Sequence, residues 1–416
     1  MLKDDPRAKD QKRPPACGEL FSNVALAHSF RLLAQHGKSG FYKGEVAEAL
    51  CKVVQDRGGH ISKKDLNHHL DLGSEEVDAT SLLFKGQGVL SDQSFGLDGQ
   101  ESAVDSSGLE LWEHPPNGQG LVALIALGIL QELERTHQIP TFTSGDHNSA
   151  TYLHAIVESL RIAFADARYF ITDPNVVKVP VQELLSPSYL ASRATLFNPE
   201  RASPPLDHGS LAQNRCDTVY FAATDSEGNA CSFINSVFGG FGSGIIPKEC
   251  GFTLQNRGAA FSLDKDHPNV YAPGKRPYHT IIPAMATNAS DGSLHSVYGV
   301  MGGAMQPQGH VQVLLNMTAF KYTPQTALDA PRICIGAGFP SGGKKKLVDR
   351  RVYLEEGITE EVAQKLREMG HEVEFVTGWK RGLFGRGQII RCHVEDGTRI
   401  YSAGSDPRGD GSAFPA

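Results

Sequence analysis

Asp217-Thr218-Val219-Tyr220-Phe221, followed by Asp225-Ser226-Glu227-Gly228-Asn229, is the stretch on which the fold turns. β-Branched and aromatic residues run into a cluster of turn formers, and Ala230 opens a second β-rich run over 230–237. That order predicts strand, tight turn, strand. A threonine stands at the mouth of the first strand, directly after an aspartate. A threonine hydroxyl is a weak nucleophile and needs a base close by. Cleavage between Asp217 and Thr218 would free the Thr218 α-amine and put that base on the nucleophile itself. An Asp-Thr pair at a strand start is, taken alone, more often a turn residue before a β-former. Its company has to carry the argument.

Ser236 lies on the second strand. If the turn closes a hairpin, Ser236 comes close enough to hydrogen-bond Thr218 and hold its rotamer; an ordinary strand serine is the alternative. Gly239-Gly240-Phe241-Gly242-Ser243-Gly244 is glycine-rich but has no Gly-Lys-Ser/Thr, so close backbone packing explains it better than a phosphate loop. Met301-Gly302-Gly303-Ala304 follows a strand expected over 294–300. Paired glycines there can aim two backbone N–H groups at one point, as a tetrahedral oxyanion requires. A structural turn is the competing reading. Lys275-Arg276-Pro277-Tyr278-His279-Thr280 joins two apolar stretches, and His279 is the one histidine considered for substrate contact. No His/Cys cluster has zinc spacing, so neither metal nor cofactor is expected.

Helices are expected near 24–36, 44–56, 121–134, 149–167, 310–320 and 360–369 from apolar spacing and flanking caps. Ser62-Lys63-Lys64-Asp65 predicts an N-cap and a short helix. Residues 72–108 are rich in Ser, Gly, Asp and Gln and keep no period; they are expected to be an irregular insertion. Residues 198–215 are expected to be a flexible approach to the cut. Strands are expected over 218–224, 230–237, 251–254, 294–300 and 372–376, with a final hairpin of 388–394 and 399–403. Strands in the second half with helices around them suggest a layered α/β/β/α sandwich.

The chain has 416 residues and a formal net charge of −7, with no basic run long enough for a nucleic-acid partner. Lys344-Lys345-Lys346 beside Arg350-Arg351 is taken as solvated surface. Seven scattered cysteines give no disulfide framework. The polar start and the lack of a span-length apolar run lead to the expectation of a cytoplasmic protein without a membrane segment.

The ordered blocks resemble the γ-glutamyltransferase (gamma-glutamyltranspeptidase, glutathione hydrolase) family of N-terminal-nucleophile hydrolases. They are Gly18 to Asn23, Phe41 to Glu45, Pro115-Pro116-Asn117-Gly118-Gln119-Gly120, Phe164 to Arg168, Asp217-Thr218, Asp225 to Asn229, and Phe241 to Gly244. Pro273 to Pro277, Gly302-Gly303, Asp329 to Arg332 and Ser405-Asp406-Pro407-Arg408 continue the match. The resemblance implies an α+β fold, a four-layer αββα sandwich incomplete at its N-terminus. It implies self-cleavage at Asp217–Thr218 into a large-subunit portion, 1–217, mostly helical, and a small subunit, 218–416, both parts of one sandwich and staying together as partners. Thr218 matches the catalytic threonine, Ser236 the second hydroxyl, and Gly302 and Gly303 the oxyanion glycines. The substrate would be a small-molecule amide such as glutathione, its γ-glutamyl group passed to water or an amine. The binding segment departs from the glutathione-acting pattern. Gln255-Asn256-Arg257-Gly258-Ala259-Ala260-Phe261 has alanine at the second acid, and His279-Thr280 replaces a Ser-Ser pair. That wording is closer to the acylase and oxamate-amidohydrolase-like subgroup, with Arg257, His279, Thr280 and Phe241 as substrate-binding residues. An inactive truncated homologue is the remaining alternative.

Overall fold

A computed structural model describes residues 2–89, 107–204, 216–336 and 351–415, and divides them into two units. The first takes Met1–Val77 and Gly239–Asn256. It contains β1 (Lys3–Asp4) paired with β2 (Lys12–Arg13), then α1 (Val24–His36), α2 (Ser39–Tyr42), α3 (Gly44–Gln55) and α4 (Lys63–Leu72). Asn23 caps α1 by accepting from the Leu26 N–H, and Ser62 with Asp65 forms a capping box on α4, the cap its sequence predicts. Ala47, Leu50, Cys51 and Leu66 make a small core between α3 and α4.

Residues 251–254 are not the strand their composition suggests. Gly251 has φ 72°, and a Cβ there would fall 2.3 Å from the Leu26 nitrogen. Leu254 instead bonds a loop, accepting from the Ser243 N–H and donating to the Ile245 carbonyl. Gly242 is the close approach foreseen for the glycine-rich stretch: a Cβ would lie 2.3 Å from the Leu254 oxygen.

The second unit takes Asp78–Phe238 and Arg257–Ala416. In chain order it holds β3 (Thr80–Phe84), β4 (Leu109–Glu113), α5 (Gly120–Arg135), α6 (Ala150–Phe170), α7 (Val181–Leu184) and α8 (Pro187–Ala194). There follow β5 (Cys216–Thr224), β6 (Ala230–Gly239), β7 (Ala284–Asn288), β8 (Leu294–Met301), α9 (Met305–Thr318), α10 (Pro324–Asp329) and β9 (Ile333–Ile335). The last elements are β10 (Arg351–Glu355), α11 (Glu360–Glu368), β11 (Glu372–Val376), β12 (Arg386–Glu395) and β13 (Thr398–Ser405).

Six strands form one antiparallel sheet in the order β13-β12-β8-β7-β4-β3. Its central strand β8 is buried from His295 to Met301, as a strand with a layer on each face must be. Neighbouring glycines and valines show both layers. A Cβ on Gly299 would meet the ring of Tyr220 on β5 at 2.4 Å, whereas Val300 fills the space over Gly309 on α9. Thus the β5–β6 pair stacks on one face, while α9 on β8 and α5 on β3 and β4 lie side by side against the sheet, with α6 packed on α5. A smaller sheet, β11-β10-β9, has α11 as the crossover between its parallel strands.

Two further expectations need correction. The span 72–108 is not wholly irregular, because Thr80–Phe84 pairs with Leu109–Glu113 at the edge of the large sheet. Five strand residues are swamped by polar neighbours in composition, yet Leu82 and Phe84 are buried. Helix α9 also starts earlier than 310. All its residues from Met305 to Thr318 are buried, so no polar face marks its start. Its glutamines act as backbone substitutes: Gln308 and Gln312 each accept from and donate to β9, at Ile335 and Ile333 respectively. Residues 90–106, 205–215 and the lysines 344–346 lie outside the described residues. The 217/218 boundary runs through the second unit, so both portions build the same sheet system.

Candidate active site

The turn after β5 closes as its residue types require. Asp225 accepts from the backbone N–H groups of Glu227 and Asn229 and from the Asn229 side chain. Tyr401 donates to the Asp225 carbonyl and anchors the turn to β13. Alternation along β5 then sends Thr218 and Tyr220 inward and leaves Val219 and Phe221 exposed.

Thr218 is 2% exposed, and its Oγ1 donates to Ser236 Oγ at 2.9 Å. Ser236 Oγ also accepts from the Phe238 N–H at 2.9 Å. The Thr218 proton is thereby aimed at Ser236, which leaves its oxygen lone pairs for other work. Phe238 holds φ 75°, costly for an aromatic residue, so local strain sits beside the threonine.

A cavity of ≈ 200 Å³ opens on Thr218. Met301, Arg386, Gln388, Asp406 and Asp410 are among its other walls. Sequence reasoning did not select these wall residues, although Asp406 lies in one of the recognised blocks. Burial pushes the Asp406 carboxyl up, but Arg332 and Arg408 outweigh it and hold the group below its ordinary value. Arg332 reaches it at 2.7 Å and Arg408 at 3.0 Å.

Met301 leads into the paired glycines. Gly302 has φ 136° and Gly303 φ 60°, values that glycine alone adopts freely. Their carbonyls are taken: Gly302 accepts from Met305 and Gly303 from Gln306. Among the described residues neither N–H has an acceptor. Two donors are therefore available at the start of α9, where the helix dipole also favours negative charge.

Arg257, Thr280 and His279 come together. Arg257 Nη1 donates to Thr280 Oγ1 at 2.5 Å, and its guanidinium lies 4.3 Å over the Phe238 ring. Both Arg257 and Thr280 are buried. Burial, with Arg257 and His114 nearby, pushes the His279 pKa down to about 3. Its Nδ1 accepts from the Ile281 N–H, so a neutral ring carries its proton on Nε2. Phe241 belongs to the first unit and is 69% exposed. The side chain of Asp217 lies outside the described atoms.

Among the described residues one group has metal-ligand geometry: the donor atoms of His154, Glu158 and His371 lie within 4.8 Å of one another. Its hydrogen bonds fix the protons. The Asn198 carbonyl can only accept from His154 Nε2 at 2.7 Å, and Arg161 can only donate to His371 Nδ1 at 3.1 Å. His371 Nε2–H therefore donates to His154 Nδ1 at 2.7 Å. These ring contacts form a satisfied relay, and a metal would have to displace it. The pairing joins residues 217 positions apart, which no local pattern announces.

With helices on a large antiparallel sheet, the chain has the α+β sandwich of the N-terminal-nucleophile hydrolase class. The sequence model "Gamma-glutamyltranspeptidase" matches residues 7–416, and the chain belongs to that family. It is similar to the glutathione hydrolase-like YwrD proenzyme of Bacillus subtilis, 32% identical over 96% of this chain and 67% of that protein. The oxamate amidohydrolase proenzyme of Klebsiella pneumoniae is 33% identical, over 96% of this chain and 66% of that protein. The crystal structure of cephalosporin acylase from Bacillus halodurans matches with TM-score 0.76 and 34% identity, covering 96% of this chain and 64% of that one. The chain thus spans about two thirds of the length of these relatives. Among the described residues no helix is long and apolar enough to cross a membrane.

Proposed function

We propose that the chain is a self-cleaving proenzyme that hydrolyses or transfers an acyl group from a small-molecule amide. The observation that carries this reading is the Thr218–Ser236 hydrogen bond at a buried threonine facing a cavity. In the precursor, Thr218 Oγ attacks the Asp217 carbonyl carbon, and the peptide C–N bond breaks to give an ester. Water then cleaves the ester, leaving a carboxylate on Asp217 and a free α-amine on Thr218. The freed amine takes the hydroxyl proton in the next reaction, in which Thr218 Oγ attacks the substrate carbonyl. The N–H groups of Gly302 and Gly303 stabilise the oxyanion. The amine leaves with the proton, and water or a second amine releases the acyl group.

Two acyl classes are considered: a γ-glutamyl group, as in glutathione, and another carboxylated acyl group. The second is favoured by Ala260 at the acid position and by His279, which is held neutral and offers a donor rather than a charge. The names of the Klebsiella and Bacillus halodurans relatives point the same way. The buried Arg257, tied to Thr280, supplies positive potential beside His279.

The first test is the intact mass of the purified chain beside a Thr218→Ala control. Two fragments divided between Asp217 and Thr218, absent from the control, are expected. A single uncut chain in both would sink the self-cleavage reading. A panel of γ-glutamyl anilide, oxamate and glutaryl amides then separates the acyl classes. Turnover confined to the last two excludes the glutamyl assignment.

A further inference from the structure

Gln119 is fully buried, and its amide makes three contacts, two with the segment Tyr278–Thr280 and one with Gly303. Nε2 donates to the Gly303 carbonyl at 2.8 Å and to the Thr280 carbonyl at 2.7 Å. Oε1 accepts from the Tyr278 hydroxyl at 3.0 Å. The Gln119 backbone adds a bond from its N–H to the His279 carbonyl. One side chain therefore clamps the glycine turn to the strand lead that carries His279 and Thr280.

We propose that Gln119 is a positioning residue for the oxyanion turn. This rests on the reading of Gly302 and Gly303 given above. The physical argument is directional. A peptide group turns as a rigid plane, so fixing the Gly303 carbonyl fixes the Ala304 N–H in the same plane and limits ψ of Gly303, and through that residue the direction of its own N–H. Gly302 and Gly303 have positive φ and no side chain to pack, so within the turn only the bonds their carbonyls accept from the Met305 and Gln306 N–H groups hold one orientation. Donors aimed at a developing oxyanion are useful only if they need not reorganise as charge forms. Gln119 meets that need from outside the turn. Its two donated bonds cannot be supplied by an acid or by an apolar residue of the same size. The two carbonyls settle which end of the amide is nitrogen, because they can only accept from Nε2, and the Tyr278 hydroxyl then donates to Oε1.

The arrangement also crosses the proposed cut. Gln119 belongs to 1–217, whereas Tyr278, Thr280 and Gly303 belong to 218–416. After cleavage the first product would supply the clamp and the second the turn.

The test compares wild type with Gln119→Glu and Tyr278→Phe. Gln119→Glu keeps the shape but sets carboxylate oxygens against two carbonyls. Amide exchange in peptides covering Met301 to Met305 should quicken at least about tenfold, and kcat should fall about ten- to a hundredfold with KM changed less than about threefold. Tyr278→Phe keeps both donated bonds, so its effect on each readout should be smaller. If Gln119→Glu yields no folded protein, Gln119→Met, uncharged and of similar length, replaces it with the same expectation. Unchanged exchange and kcat in a folded variant overturn the proposal, as does a loss confined to KM. The Thr218→Ala control separates the two readings. Amide turnover surviving in that control defeats the proposed function, and the exchange comparison still decides on Gln119.

Discussion

Thr218 and Ser236 act as a pair because one proton lies between their oxygens. Removing the Ser236 hydroxyl leaves the buried Thr218 donor and the Phe238 N–H without that acceptor. Such a loss costs about 1–3 kcal/mol, or roughly a ten- to hundredfold fall in rate. Ser236→Ala should therefore lower kcat by that factor with KM nearly unchanged, measured on whichever panel amide is turned over. A kcat within twofold of wild type would remove Ser236 from the mechanism. The candidate nucleophile and this partner were marked in the sequence by the family resemblance, and the short turn between them predicts only the hairpin that brings them together. The walls Arg386, Gln388 and Asp406 were not, since they reach the cavity from strands more than 160 residues away.

Among the elements, β8 bears most of the fold's order. It has the hairpin carrying Thr218 on one face and α9 on the other, and Gly299 makes the first contact possible. Gly299→Ala would drive a methyl into the Tyr220 ring, an overpacking cost of about 1–3 kcal/mol. Denaturant unfolding should show that loss, and Tyr220→Leu in the same chain should recover part of it. Additive effects of the two substitutions would show that the sheets do not meet there. The long helices α5 and α6 were readable from apolar spacing. Strands β7 and β9 were not, because Ala284-Met285-Ala286-Thr287-Asn288 and Ile333-Cys334-Ile335 are too short for a period to stand out.

At the scale of the whole molecule, α6 is tied to the chain just before β11 by the His154–His371 relay. Desolvation is the chief cause that lowers the His154 pKa from its ordinary 6.5. The folded state thus favours the neutral ring, while the unfolded chain protonates near 6.5. The resulting stabilisation is full above that value and is lost as pH falls below it toward the folded pKa. Thermal melts between pH 7.5 and 5 should show wild type losing stability more steeply than His154→Gln. Parallel slopes would mean that the relay does not control the acid response. The same segment receives a second tie, from the Ala202 N–H to the Met369 carbonyl. The residues before the proposed cut are thus held by the C-terminal half of the chain.

The sequence by itself determined the hairpin, the nucleophile candidate, the paired glycines and the family, because each depends on neighbours a few positions apart or on ordered blocks. It also determined most helices, whose period is local. Only the tertiary structure decided that Thr80–Phe84 joins the sheet, that 251–254 does not form a strand, and that His279 is kept neutral. The same holds for Gln119, whose amide bonds Tyr278, Thr280 and Gly303. Each of these depends on what lies opposite in space. Burial, desolvation and a carbonyl's partner are properties of the packed chain, and partners outside the window of a local period leave no periodic trace.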